Sequence, residues 1–138
     1  MSIEPYLNFD GRCEEAIDFY RQALGAKVTM LMRFSENPEP PQPGMVPSGS
    51  ENKIMHASLL IGESTVMASD GYCKGEPSFK GVTLSLTVPD EAAADRAFAA
   101  LSEGGKVHMP LAKTFFSPRF GMVADRFGVP WMIIVRHD

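Results

Sequence analysis

The chain has 138 residues, a formal net charge of -4, 44% hydrophobic residues, three His and two Cys. That length holds one compact domain, or two small modules sharing a core, and leaves no room for a multidomain machine. Thirteen Lys+Arg against seventeen Asp+Glu, with no basic run, argue against a surface that neutralises nucleic-acid or membrane phosphates, so a small molecule is the expected partner.

A strand-like run from Ile3 to Phe9 comes first. Ala16, Ile17, Tyr20, Ala23 and Leu24 then recur at helical spacing, predicting an amphipathic helix over Cys13 to Leu24 that Gly25 stops. Strands are predicted over Val28 to Phe34, Ile54 to Ile61 and Thr65 to Ser69, the last two joined by a tight turn at Gly62-Glu63. Five prolines between Pro38 and Pro47 mark a long loop within 35–53, either a tolerated surface insertion or a lid. Residues 71–81 read as a linker. A strand over Val82 to Val88 leads to Asp90, a predicted N-cap, and to a helix with Ala94, Ala97, Phe98 and Leu101 on one stripe, stopped by Gly104-Gly105. Strands over Val107 to Leu111, Phe120 to Ala124 and Trp131 to Val135 complete the chain. The order βαβββ thus occurs twice, over 1–70 and 82–138, and Lys27-Val28 and Lys106-Val107 open corresponding strands.

Alternation assigns the faces. Leu84 and Leu86 alternate with Thr83, Ser85 and Thr87, and Ala57, Leu59 and Ile61 leave His56 and Ser58 on the opposite side. A two-residue turn pairs Ser58 with Met67 and His56 with Ser69, while Tyr6 and Asn8 share one parity on the first strand. The polar faces are candidate walls of a cavity. The nine Met are read first as adaptable core filler. No apolar run approaches the ~20 residues of a membrane span, and Met1-Ser2-Ile3-Glu4-Pro5 does not read as a signal peptide. Cys13 and Cys73 form no C-x-x-C pair or disulfide framework. A cytoplasmic, reduced setting is expected.

Several motifs carry a family resemblance: the helix Glu14-Glu15-Ala16-Ile17-Asp18-Phe19-Tyr20-Arg21-Gln22-Ala23-Leu24-Gly25, the run Pro5-Tyr6-Leu7-Asn8-Phe9, His56-Ala57, Met67-Ala68-Ser69-Asp70, Thr114-Phe115-Phe116, Phe120-Gly121 and Asp125 through Trp131. Together they resemble the vicinal-oxygen-chelate superfamily of glyoxalase I, bleomycin-resistance proteins and extradiol dioxygenases, and within it the PhnB-like subgroup. The resemblance implies an α+β fold in which two βαβββ modules form one cupped eight-stranded mixed sheet, a single domain over 1–138. It also implies a homodimer with a ligand pocket, and its subgroup suggests a phosphonate or other anionic metabolite.

Superfamily enzymes hold a divalent metal through His or Glu on particular strands. Carried onto this chain, those positions fall on Pro5 or Tyr6, Thr83, Met67 and Met132. Thioethers and lone hydroxyls suit Mg, Mn, Ni or Zn poorly, so no metal or other cofactor is expected at the usual place, and two methionines are expected where carboxylates would stand. His56 is the foremost chemical candidate, as a general base or ligand contact, with Asp70 either orienting it or capping a turn; His56 satisfied inside the sheet is the other reading. Tyr6, Asn8, Ser58, Met67, Ser69, Thr83, Ser85, Phe116, Arg119 and Met132 are the candidate ligand contacts, Arg119 as a clamp on an anion. Phe115 and Trp131 read as aromatic core or as stacking surface, Asp125 as a turn residue, and His108 and His137 as too isolated for a site. The glycines sit at helix stops and hairpins, so no adenosylmethionine or dinucleotide cradle is expected. Two functions stay open: a non-catalytic small-molecule binder, and a glyoxalase- or dioxygenase-type enzyme, metal-dependent or metal-free, using His56 as base.

Overall fold

A computed structural model describes residues 1–38, 49–71 and 77–136. The chain divides into two compact units, Met1–Pro77 and Ser78–Asp138. The first contains β1 (Tyr6–Asn8), α1 (Cys13–Leu24), β2 (Lys27–Arg33), a 3-10 turn at Phe34–Glu36, β3 (Ile54–Ile61) and β4 (Ser64–Ser69). The second contains β5 (Leu84–Val88), α2 (Glu91–Ser102), β6 (Lys106–Ala112), β7 (Phe120–Ala124) and β8 (Pro130–Val135). The α+β class and the repeated βαβββ order are as the sequence predicts. Each unit forms its own four-stranded mixed sheet, in the orders β1-β4-β3-β2 and β5-β8-β7-β6.

The two sheets repeat one another closely. In each, the first strand runs parallel to the last, with Tyr6 opposite Met67 and Ser85 opposite Met132. The antiparallel edge strands β2 and β6 break register near their starts, between Val28 and Met30 and between Val107 and Met109. Such bulges bend an edge and increase its twist. The repeat corrects one expectation: Thr83 precedes β5, and Ser85 is the residue that corresponds to Tyr6. The β5 strand is two residues shorter than alternation suggests, since Val82 and Thr83 are both exposed and find no partner strand.

One face of each sheet packs on its helix. In the first unit Leu7, Ala57, Leu59, Val66 and Ala68 are buried with Cys13, Ala16, Ile17 and Tyr20 of α1. In the second, Val123, Trp131, Ile133 and Val135 are buried with Ala94, Ala97 and Leu101 of α2. Gly105 lets α2 turn tightly into β6, because a Cβ there would run into the Ala124 carbonyl oxygen and the backbone of Asp125.

The helices start differently. Asp90 caps α2 from its own N-cap position, accepting from Ala93 N at 2.8 Å, as predicted. The N-cap of α1 is Arg12, which makes no side-chain cap. Its place is taken by Asp70, at the far end of β4: Oδ1 accepts from Gly11 N at 2.9 Å and Cys13 N at 2.8 Å, and Oδ2 from Ile54 N at 2.7 Å. One buried carboxylate thereby ties the start of α1 to the start of β3. No helix among the described residues is long and apolar enough to cross a membrane. The proline-rich segment read as a loop or lid, most of the predicted linker, Cys73 and His137 lie wholly or largely outside the described residues.

Candidate functional site

Opposite its helix, each sheet presents an open face, and strand register determines what stands there, because directly paired residues point to the same side. Across the first sheet runs the row Tyr6, Met67, Ser58, Met30. Beside it His56 faces Met32, and Asn8 faces Ser69. Across the second sheet the corresponding row is Ser85, Met132, Met122, Met109. Lys27 and Lys106 stand at matching corners, opposite Leu60 and Ala124.

Six of the nine methionines, Met30, Met32, Met67, Met109, Met122 and Met132, therefore occupy open faces. Among the described residues no methionine belongs to the buried core. This corrects the reading of methionine as core filler. The core is made by Ile, Leu, Val, Ala and aromatic side chains, and the unbranched thioethers are half-buried or exposed on the other side.

His56 is half-buried, and its Nδ1 lies 3.1 Å from the Tyr6 hydroxyl. The two rings are 5.5 Å apart. Because β4 lies between β1 and β3, the Tyr6 side chain reaches across β4 to make this contact. Phenol and imidazole thus form a polar pair beside Met67, with Ser58 next to it. Tyr6, Asn8, His56, Ser58 and Met67 are brought together on one face, and Ser85 and Met132 on the other sheet's open face.

The remaining candidates are committed elsewhere. Asp70 does not orient His56: it is 1% exposed and both oxygens are taken by the three backbone amides. Ser69 is buried, its one hydroxyl donor spent on the Met55 carbonyl at 2.8 Å while the oxygen accepts from Gly71 N at 2.9 Å, so it is tied to its own backbone rather than offered to a ligand. Arg119 grips Asp95 of α2 through Nε and an Nη, both at 2.8 Å, so the expected anion clamp is an intramolecular one. Trp131 is core, its indole donating to Asp125 Oδ2 at 2.9 Å, while Asp125 Oδ1 accepts from Phe127 N and Val129 N to close the β7–β8 turn. Phe116 lies on the β6–β7 loop, packed edge-on against Phe115 and Phe120. Burial pushes the Cys13 thiol far above its usual range, and the nearby Asp70 and Glu14 carboxylates push it further, so Cys13 is no nucleophile.

Met30, Met32, Met109 and Met122 were missed as site residues. Period-two alternation alone places Met30, Met32 and Met109 wrongly, because the β-bulges at Thr29 and His108 shift parity along β2 and β6, while Met122 stands on the regular strand β7. The sequence signal that finds them is the repeat itself, which superposes the Met30 and Met109 positions once Lys27-Val28 is laid over Lys106-Val107.

The fold and the paired βαβββ order correspond to a known family model, that of the Glyoxalase/Bleomycin resistance protein/Dioxygenase superfamily, matched over residues 2–133. The chain belongs to this superfamily. It is 39% identical over 140 residues to the protein YjdN of Escherichia coli (strain K12), covering 98% of this chain and 95% of that one. A crystal structure of protein PA1353 from Pseudomonas aeruginosa superposes with a TM-score of 0.85 at 43% identity, covering 100% and 99% of the two chains. PhnB-like proteins are among the structural neighbours of this superfamily member. The PhnB protein of Bacillus cereus, whose name carries a 3-demethylubiquinone-9 3-methyltransferase label, has a TM-score of 0.79 at 26% identity over 98% and 99% of the chains.

The divalent metal that the superfamily implies is a test of the donors present. Tyr6 and Met67 on one sheet, with Ser85 and Met132 on the other, offer a phenol, a hydroxyl and two thioethers. Mg and Mn bind through carboxylates, and Ni and Zn through imidazole, carboxylate or thiolate, and neither sheet's pair of positions supplies such a donor, so these positions do not fit a divalent ion. Among the described residues no three His, Cys, Asp or Glu side chains gather as a metal-binding group.

Proposed function

We propose that this protein is a non-catalytic small-molecule binder whose ligand lies on the methionine-rich open faces, acting as a homodimer. The observation that carries this reading is the identity of the residues at the superfamily's ligating positions: neutral hydroxyls and thioethers, where catalysis in the usual manner requires carboxylate or imidazole donors. Three thioethers on each unit's open face provide a polarisable surface that adapts to ligand shape, and on the first unit Tyr6, His56 and Ser58 supply a few oriented polar contacts, the composition expected of a ligand site. With Arg119 held by Asp95, a ligand with a predominantly apolar body fits these faces better than the anion expected from the PhnB-like subgroup.

The methyltransferase label of the B. cereus neighbour is not carried over. The Tyr6–His56 pair supports a second reading, in which His56 is the base of a metal-free enzyme. The His56→Ala variant separates the two. If the protein is a binder, native mass spectrometry of gently purified protein shows a co-purifying small molecule whose occupancy falls in His56→Ala and Met67→Ala. No turnover of hemithioacetal or catechol substrates is then expected from either form. Wild-type turnover that His56→Ala abolishes, with ligand occupancy retained, would establish the enzyme instead.

A further inference from the structure

On the first sheet, β3 brings His56 directly opposite Met32 of β2, and Met67 of β4 stands opposite Ser58, one pleat further along the same face. Two thioethers therefore flank one imidazole from the strands on either side. Directly opposed side chains start about 5 Å apart and diagonal ones about 7–8 Å apart, distances that flexible methionines span. All three residues are half-buried, sheltered yet open to a small ion. The Tyr6 hydroxyl at 3.1 Å from Nδ1 holds the ring and leaves Nε2 as the free nitrogen, the arrangement by which an outer hydroxyl or carbonyl orients a ligating histidine.

Thioether sulfur is a soft, neutral donor that selects Cu(I) over hard divalent ions, and imidazole joins it readily. A set of two thioethers and one imidazole carries no negative charge, which suits a monovalent ion and leaves a divalent one uncompensated. The second sheet's row of Met109, Met122 and Met132 has no nitrogen donor, and its Met109 is 44% exposed.

We infer that His56 Nε2, Met32 Sδ and Met67 Sδ form a binding site for a soft monovalent cation, Cu(I) or its redox-inert mimic Ag(I), with Tyr6 as the positioning residue. The site shares Tyr6, His56 and Met67 with the proposed small-molecule surface, and a titration with the metal alone reads it separately from small-molecule binding.

The test is titration of the full chain with silver nitrate in chloride-free buffer, in a Cys73→Ser background that removes the thiol outside the described residues, read by calorimetry and by the methyl signals of 13C-methionine. One Ag(I) per chain is expected, shifting the Met32 and Met67 methyls. Met32→Leu and Met67→Leu, which preserve volume and fold, each weaken binding at least tenfold, and Tyr6→Phe weakens it about tenfold. Met109→Leu and Met122→Leu leave affinity unchanged, and Zn(II) at the same concentrations does not shift the methyls. Unchanged affinity in Met32→Leu and Met67→Leu overturns the site, as does a silver response confined to Met109, Met122 and Met132, or an equal response to Zn(II).

Discussion

Replacing Asp70 by Asn removes one charge and turns one acceptor oxygen into an NH2 donor, with almost no change in volume. Oδ1 can still accept from Gly11 N and Cys13 N, but the amide nitrogen would then face Ile54 N, donor against donor, where a 2.7 Å bond stood. A hydrogen bond to a charged group contributes about 1.5–3 kcal/mol, and a buried donor left without a partner costs about 1–3 kcal/mol. Losing the carboxylate from the start of α1 adds about 0.5 kcal/mol. Because these contributions overlap, the expected loss is about 3–5 kcal/mol, a large part of the roughly 5–15 kcal/mol that holds a domain together. At roughly 4 °C per kcal/mol for a chain of this size, the melting temperature should fall by about 12–20 °C. Urea titration followed by circular dichroism measures the free energy, and a thermal scan measures the shift. A loss below about 1 kcal/mol would refute the account of Asp70 as the tie between α1 and β3. If Asp70 instead served His56, the substitution would spare stability and alter ligand binding.

Gly105→Ala should destabilise by at least about 2 kcal/mol, since its methyl collides with the Ala124 and Asp125 backbone, which cannot swing aside; chemical denaturation reads this directly. In a Cys73→Ser background, Cys13 should resist iodoacetamide until denaturant is added, because it is fully buried and its thiol is held protonated. Rapid alkylation of the native protein would contradict its place in the core. The Arg33 guanidinium, bonded to Glu14 at 2.6 Å, holds the Glu14 carboxyl below the usual carboxylate range. A depressed folded-state value contributes stability at neutral pH that disappears as pH falls through it. Glu14→Gln should therefore cost about 0.2–1 kcal/mol at neutral pH, the range of an exposed pair. It should cost nothing in strong acid, where Glu14 is protonated in the wild type too, and an equal cost at both pH values would disprove the pairing.

The elements were legible because periodicity and punctuation agreed. The bounds of α1 follow from its apolar stripe and the αL Gly25, and the β3–β4 register from a two-residue turn at Gly62-Glu63. The Met67 and Met132 positions were also legible, through the family resemblance, which left the first-strand position open between Pro5 and Tyr6. What escaped were features fixed by contacts distant in sequence. Nothing near α1 signals that its missing cap comes from Asp70, 57 residues away from Cys13. No local pattern shows that Asp95, on α2, holds Arg119. The β-bulges hid half of the methionine surface, because inserting one residue into a strand reverses every parity assignment beyond it.

Methyl-selective NMR of protein labelled in Met, Ile and Leu tests most directly whether the open faces of the two sheets bind the ligand. Adding the metal-free small-molecule fraction of a cell extract should shift the open-face methionine methyls, Met67 and Met132 foremost, while the core methyls of Leu59 and Ile133 stay in place. An extract that leaves the open-face methyls unmoved while shifting signals elsewhere would contradict binding there.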